Sequence, residues 1–131
     1  MKGTYILVIS LSEAADINIG NLRIAHFETG FYFYIGSGMG NKGSATLEHR
    51  VNRHILPSNK KKIHWHIDYL LNHRLTCIIK IYLIPSTSRL ECIIAREIKE
   101  RSEGFITGFG SSDCQCKSHL FYFRQFKDFI Y

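Results

Sequence analysis

From Thr4 to Leu11 the chain is an almost unbroken run of β-branched, aromatic and aliphatic residues, closed by the polar pair Ser12-Glu13. Such a run predicts a strand at the start of the fold, with Tyr5, Leu7 and Ile9 on one of its faces. Leu22 to Phe27 and Phe31 to Gly36 read as two further strands, joined as a hairpin by Glu28-Thr29-Gly30, a short connection holding the glycine that such turns favour. Tyr32 and Tyr34 then point the same way. A second long apolar run, Leu75 to Ile84, fits a central strand, and the aromatic stretch His119 to Phe126 is strand-like as well.

Between these runs the periodicity changes. Ala45 to Leu56 carries Leu47, Val51 and Ile55 at helical spacing and stops at Pro57. Arg50 and His54 lie four apart along one edge of that stripe. His64 to Asn72 reads as a short helix or turn carrying Trp65, and Arg89 to about Glu100 as a third helix after Pro85-Ser86-Thr87-Ser88. Strand, hairpin, helix, helix, strand, helix makes an α+β fold: a small mixed or antiparallel sheet flanked by helices. With 131 residues and no repeat, low-complexity tract or linker, residues 1–131 read as one domain.

Charge narrows the partner class. Seventeen Lys and Arg against eleven Asp and Glu give a net +6, and the excess is concentrated. No acid stands between Glu48 and Asp68, an interval holding Arg50, Arg53, Lys60, Lys61, Lys62, His49, His54, His64 and His66. Such a field suits phosphates. The glycine-rich stretch Gly36 to Gly43 either admits a ligand close to the backbone or connects strand to helix, and it lacks the lysine pattern of a P-loop. The apolar run near the amino terminus is too short for a signal segment or a membrane span, so the chain reads as a cytoplasmic protein with no membrane partner. Its cysteines, Cys77, Cys92, Cys114 and Cys116, then read as reduced thiols, two of them in the core.

Gly3-Thr4-Tyr5 on the first strand and Tyr34-Ile35-Gly36 on a later one resemble the two halves of the GIY-YIG nuclease signature. Arg50-Val51-Asn52-Arg53-His54 is similar to the Arg-x-x-x-His segment on the first helix of several such nucleases, and Glu91 falls where they place a metal-binding glutamate. His64-Trp65-His66-Ile67-Asp68-Tyr69-Leu70-Leu71, together with Gly108-Phe109-Gly110 and Ser118-His119-Leu120-Phe121-Tyr122, resembles an uncharacterised prokaryotic branch of that superfamily, distantly similar to the amino-terminal nuclease domain of UvrC. The resemblance covers nearly the whole chain. It implies the same α+β layout and single-metal phosphodiester cleavage in DNA, with a link to repair or processing. Three departures stand out: Thr4 replaces the usual Ile, the interval from Tyr5 to Tyr34 is long enough for an extra strand or loop, and the customary asparagine after the metal-binding helix has no clear counterpart near Ser111-Ser112-Asp113.

The chemistry implied by that resemblance uses these residue types coherently. Phosphodiester hydrolysis needs an activated water, neutralised phosphate charge and a stabilised leaving oxygen. Tyr5 would be the general base, helped by Tyr34; because a free phenol titrates near pH 10, cations such as Arg50 or a metal-bound water network would have to favour phenolate. Arg50 would also stabilise the transition state, and His54 would orient the phosphate or assist proton transfer. Glu91 would hold one Mg²⁺ or Mn²⁺ ion. Arg53, Lys60, Lys61, Lys62, His64 and His66 would contact nucleic acid, with Asp68 near the rim.

Other readings fit the same residues. Strand tyrosines commonly pack, Ser88-Arg89-Leu90-Glu91 is also a capping-box pattern, and Glu97 competes as a ligand from the same helix. Cys114, Cys116 and His119, with His64 or His66, supply enough soft donors for a zinc ion, and on that reading the protein is a non-catalytic, zinc-stabilised nucleic-acid-binding module.

Overall fold

A computed structural model describes residues 1–111 and 115–126. Its framework is a five-stranded antiparallel sheet, ordered β5-β1-β4-β7-β6, with three helices, an α+β fold. The strands are β1 (Gly3–Leu11), β4 (Gly30–Gly38), β5 (Thr76–Pro85), β6 (Gly104–Phe105) and β7 (Leu120–Phe123); the helices are α1 (Leu47–Ile55), α2 (His66–Leu71) and α3 (Glu91–Arg101). Two short strands, β2 (Ala15–Asn18) and β3 (Ile24–Phe27), form a separate ribbon.

The alternation along β1 builds a core on both faces. Tyr5, Leu7, Ile9 and Leu11 join Tyr32 and Tyr34 of β4 in a cluster with Leu47 and Val51 of α1 and Ile67 and Leu70 of α2. Ile6 and Val8 turn the other way, with Phe33 and Ile35, against Ala95 and Ile98 of α3. The sheet is therefore covered on both sides, and the tyrosines share the α1/α2 face.

Two pairings differ from the sequence reading. β3 does not pair with β4: it closes on β2, with His26 bridging Asp16 and Glu28 at 2.7 Å each across an exposed edge. Gly20 and Arg23, both at positive φ, make the tight turn that feeds this ribbon. β4 instead lies along β1 through nine residue pairs, so the long interval before Tyr34 is a two-stranded excursion inserted between the two central strands. The run Leu75 to Ile84 is an edge strand, not a central one, since among the described residues β5 pairs only with β1. A register shift opposite Val8/Ile9 leaves Ile79 as an extra residue, and the adjacent Lys80 adds a charge, both devices that discourage further strand addition at an edge.

In α1 the third buried position is His54, not Ile55, which is 56% exposed. Leu47, Val51 and His54 follow the i, i+4, i+7 stripe, and Ile55 falls one step outside it. The core expected for two cysteines is not seen among the described ones: Cys77 is exposed, and Cys92 and Cys116 are half-buried. No helix among the described residues is long and apolar enough to cross a membrane.

Candidate functional site

A cleft of about 850 Å³ opens beside the carboxyl end of β4, and elements far apart in sequence supply its walls. Tyr5 comes from β1, Tyr34 and Gly36 from β4, Arg50 from α1, Trp65 from the residue preceding α2 and Glu91 from the first turn of α3. Tyr5 and Tyr34 are neighbours there, their ring centroids 6.4 Å apart. Gly36 pairs directly with Tyr5 across the strands, and a Cβ at that position would overlap Cζ and Oη of the Tyr5 ring. Only glycine lets the phenol cross the neighbouring strand and reach the cleft. Gly38 plays the same part against the backbone of Leu47, which sets α1 close to β4.

Behind Tyr5 sits His54. Nε2 of His54 and Oη of Tyr5 are 2.6 Å apart, and the imidazole is 2% exposed. Burial pulls the His54 pKa down to about 4, so the ring is neutral at neutral pH. Among the described residues its Nδ1 has no hydrogen-bond partner. A neutral ring carries one proton, and placing it on Nδ1 would bury an N–H with nothing to accept it; on Nε2 it makes a donor to Tyr5 Oη. Burial also raises the Tyr5 phenol well above its usual value, Tyr34 pushing it in the same direction and Arg50 working against both. Tyr5 thus rests as a phenol; the cation at Arg50 does not by itself make phenolate.

The His54 shift has a consequence for folding. A folded-state value near 4 against about 6.5 in the unfolded chain means that stability is whole above pH 6.5 and is lost as the pH falls towards 4. The loss attributable to this group is about 3 kcal/mol. His66, lowered by partial burial, tilts the same way, whereas exposed His26, raised by Asp16 and Glu28, tilts the other way. The difference in urea-unfolding stability between wild type and His54→Gln isolates the His54 part: the gap narrows from pH 7 to pH 4.5, and a pH-independent gap would refute the assignment.

Arg50 and Arg53 flank Trp65, their guanidinium carbons 5.2 and 4.6 Å from the ring centroid. Arg50 lines the cleft, and its buried Nε has no partner among the described residues. Arg53 is committed elsewhere. It donates two hydrogen bonds, of 2.8 and 2.9 Å, to the fully buried carboxylate of Asp68 and a third to the carbonyl of Lys62. Asp68 also accepts from the N–H groups of His64 and Trp65. Burial opposes its charge, but Arg53 and those two amides hold its pKa below the usual range.

The rest of the basic segment divides. Lys61 donates to the carbonyls of Arg53 and His54 at the end of α1, capping that helix, whereas Lys60 and Lys62 are exposed away from the cleft lining. His64 and His66 line the cleft. His66 accepts from the Gly110 amide at Nδ1 and donates from Nε2 to Asn21, tying the β2–β3 ribbon to the loop before β7.

Glu91 lies in the cleft wall with its side chain 23% exposed, and its Oε1 is 3.3 Å from Nδ1 of His119. The capping-box alternative is not formed. Leu90, not Ser88, precedes the helix without a side-chain cap, and the Ser88 amide donates to Ser86. Glu97 is exposed and outside the cleft lining. Arg89 and Asn21, which no sequence motif singled out, also line the cleft; Arg89 stands two residues before Glu91, and Asn21 arrives on the inserted ribbon.

A family model described as a domain of unknown function, DUF123, matches residues 4–130. The chain belongs to the DUF123 family. No curated protein and no solved structure matches it. This DUF123 protein also carries a second cluster: one donor atom each from Cys92, Cys116 and His119, all within 4.8 Å of one another, a group that could hold a metal ion. Of the donors grouped in the sequence reading, Cys114 lies outside the described residues, as do Ser112 and Asp113, and His64 and His66 face the other site; among the described residues Cys92 of α3 joins Cys116 and His119.

Proposed function

We propose that this DUF123 protein hydrolyses phosphodiester bonds in nucleic acid, as a single-domain endonuclease of the GIY-YIG kind acting on DNA in repair or processing. One observation carries the reading: Tyr5, Tyr34, Arg50 and Glu91, four residues matching that superfamily's motifs, come from four elements to line one cleft, with His54 directly behind Tyr5. Packing alone gives no reason for a half-buried carboxylate, an arginine and two phenols to converge on open space.

The donors fit a hard divalent ion. Glu91 presents a single carboxylate in a wet cleft, the arrangement in which Mg²⁺ or Mn²⁺ keeps most of its waters. Bound there, such an ion supplies charge neutralisation at the scissile phosphate. Arg50, with an uncommitted Nε and a guanidinium braced on Trp65, holds the phosphate and stabilises charge as the bond breaks. Tyr5, once its own phenolic proton has passed to solvent, takes a proton from the attacking water as phenolate. Its high resting pKa means that this becomes favourable only as positive charge gathers at the site, with His54 Nε2 donating to the phenolate oxygen. Arg89 on the wall, with Lys60 and Lys62 outside, adds positive charge for the backbone of the substrate, and the rings of His64 and His66 line its path.

Labelled single-stranded, duplex and branched DNA, incubated with Mg²⁺ or Mn²⁺, tests the proposal. Wild type is expected to give metal-dependent products, and Glu91→Gln to lose them by a factor of about 10² or more while still binding DNA. Salt-sensitive binding with no cleavage of any substrate would overturn hydrolysis and leave a nucleic-acid-binding module.

A further inference from the structure

We infer that Cys92, Cys116 and His119 bind a zinc ion, which pins the start of α3 to the segment before β7 and so fixes the backbone that carries Glu91. Two thiols and an imidazole are soft and borderline donors, unlike the lone carboxylate in the neighbouring cleft. Their donor atoms already lie within 4.8 Å of one another, and a tetrahedral zinc with its ordinary bond lengths needs separations of roughly 3.5–3.8 Å. Small side-chain rotations close that gap. The two cysteines line a depression of about 460 Å³ whose walls also carry Arg96, Lys99 and Lys117. Three protein donors leave one tetrahedral position for water or another donor.

The surroundings of His119 support the assignment. Its backbone is fixed on both sides, donating to the Phe109 carbonyl at 2.8 Å and accepting from the Ile35 amide at 3.0 Å, and the residue is buried. Its Nδ1 meets the Glu91 carboxylate at 3.3 Å. A carboxylate on one ring nitrogen and a metal on the other is the usual second layer of a histidine–zinc site. Cys92 follows Glu91 directly, so the ion would hold both ends of that contact. It lies at the back of the wall that Glu91 presents to the cleft, and it belongs to the scaffold, not to the proposed hydrolysis.

The test needs no nucleic acid. The full chain, purified under reducing conditions without chelator, is expected to carry about one zinc per molecule by elemental analysis. After removal of that zinc, Co²⁺ added to the wild-type chain is expected to give thiolate-to-cobalt charge-transfer absorption. Cys92→Ser and Cys116→Ser should each weaken zinc binding at least about 10–100-fold, measured by competition with a chromophoric chelator. Folded wild type that is free of zinc and gives no cobalt charge-transfer band would overturn the inference, as would a Cys92–Cys116 disulfide in its place. Because the readouts are metal content and absorption, failure of the cleavage reaction would leave this result standing, and the reverse holds too.

Discussion

Asp68→Ala is expected to lower folding stability by about 3 kcal/mol. The carboxylate is 0% exposed and accepts from Arg53 through both oxygens and from the amides of His64 and Trp65. Deleting it leaves a guanidinium only 25% exposed and two amides without their acceptor. Arg53 keeps some access to water, which places the loss at the lower end of that known for broken buried pairs. The shift in urea-unfolding midpoint measures it, and a loss under about 1 kcal/mol would show the pair to be ornamental. A second effect distinguishes this from simple destabilisation. Arg53 and Arg50 both lie against the Trp65 ring, so freeing Arg53 loosens the surface on which the cleft arginine is braced. Weaker DNA binding at temperatures where the variant stays folded is the expected sign.

That residue illustrates what the sequence made legible and what it did not. The interval from Glu48 to Asp68 reads as a positive field because local composition records charge. It does not record which charges the fold consumes, and here Arg53 goes to Asp68 and Lys61 to the end of α1. Strand and helix positions were readable for the same local reason: β1, β4, α1 and α3 announce themselves by residue type and period. Pairing is non-local, so β3 was assigned to the wrong partner, and an apolar run such as β5 records partial burial without saying whether it lies at the centre or the edge. Cys92 escaped the metal reading because helix α3 and the Gln115–His119 segment meet only in three dimensions. Gly36 was legible as half of a motif, and the structure supplies its reason: the Tyr5 ring occupies the space that a side chain would need.

Tyr5→Phe is expected to slow the proposed cleavage by about 10²–10⁴-fold, the range for loss of a positioned general base. Phenylalanine keeps the ring among Tyr34, Leu47 and Val51 and removes only the oxygen that meets His54. The His54 Nε2 loses its partner, at a cost of about 1–3 kcal/mol, so rates must be compared where the variant is shown to be folded. Were Tyr5 a packing residue, the same substitution would leave turnover within a few-fold of wild type, and that result would remove it from the mechanism. His54→Gln separates the partners further, because its amide can still donate to the phenol oxygen but cannot take up a proton as imidazole does. If His54 acts only through Tyr5, Tyr5→Phe/His54→Gln should be no slower than Tyr5→Phe alone, since a second lesion in one unit adds little. Multiplied losses in the double variant would instead mean that His54 reaches the reacting groups by a route of its own, a conclusion that its burial behind the phenol argues against.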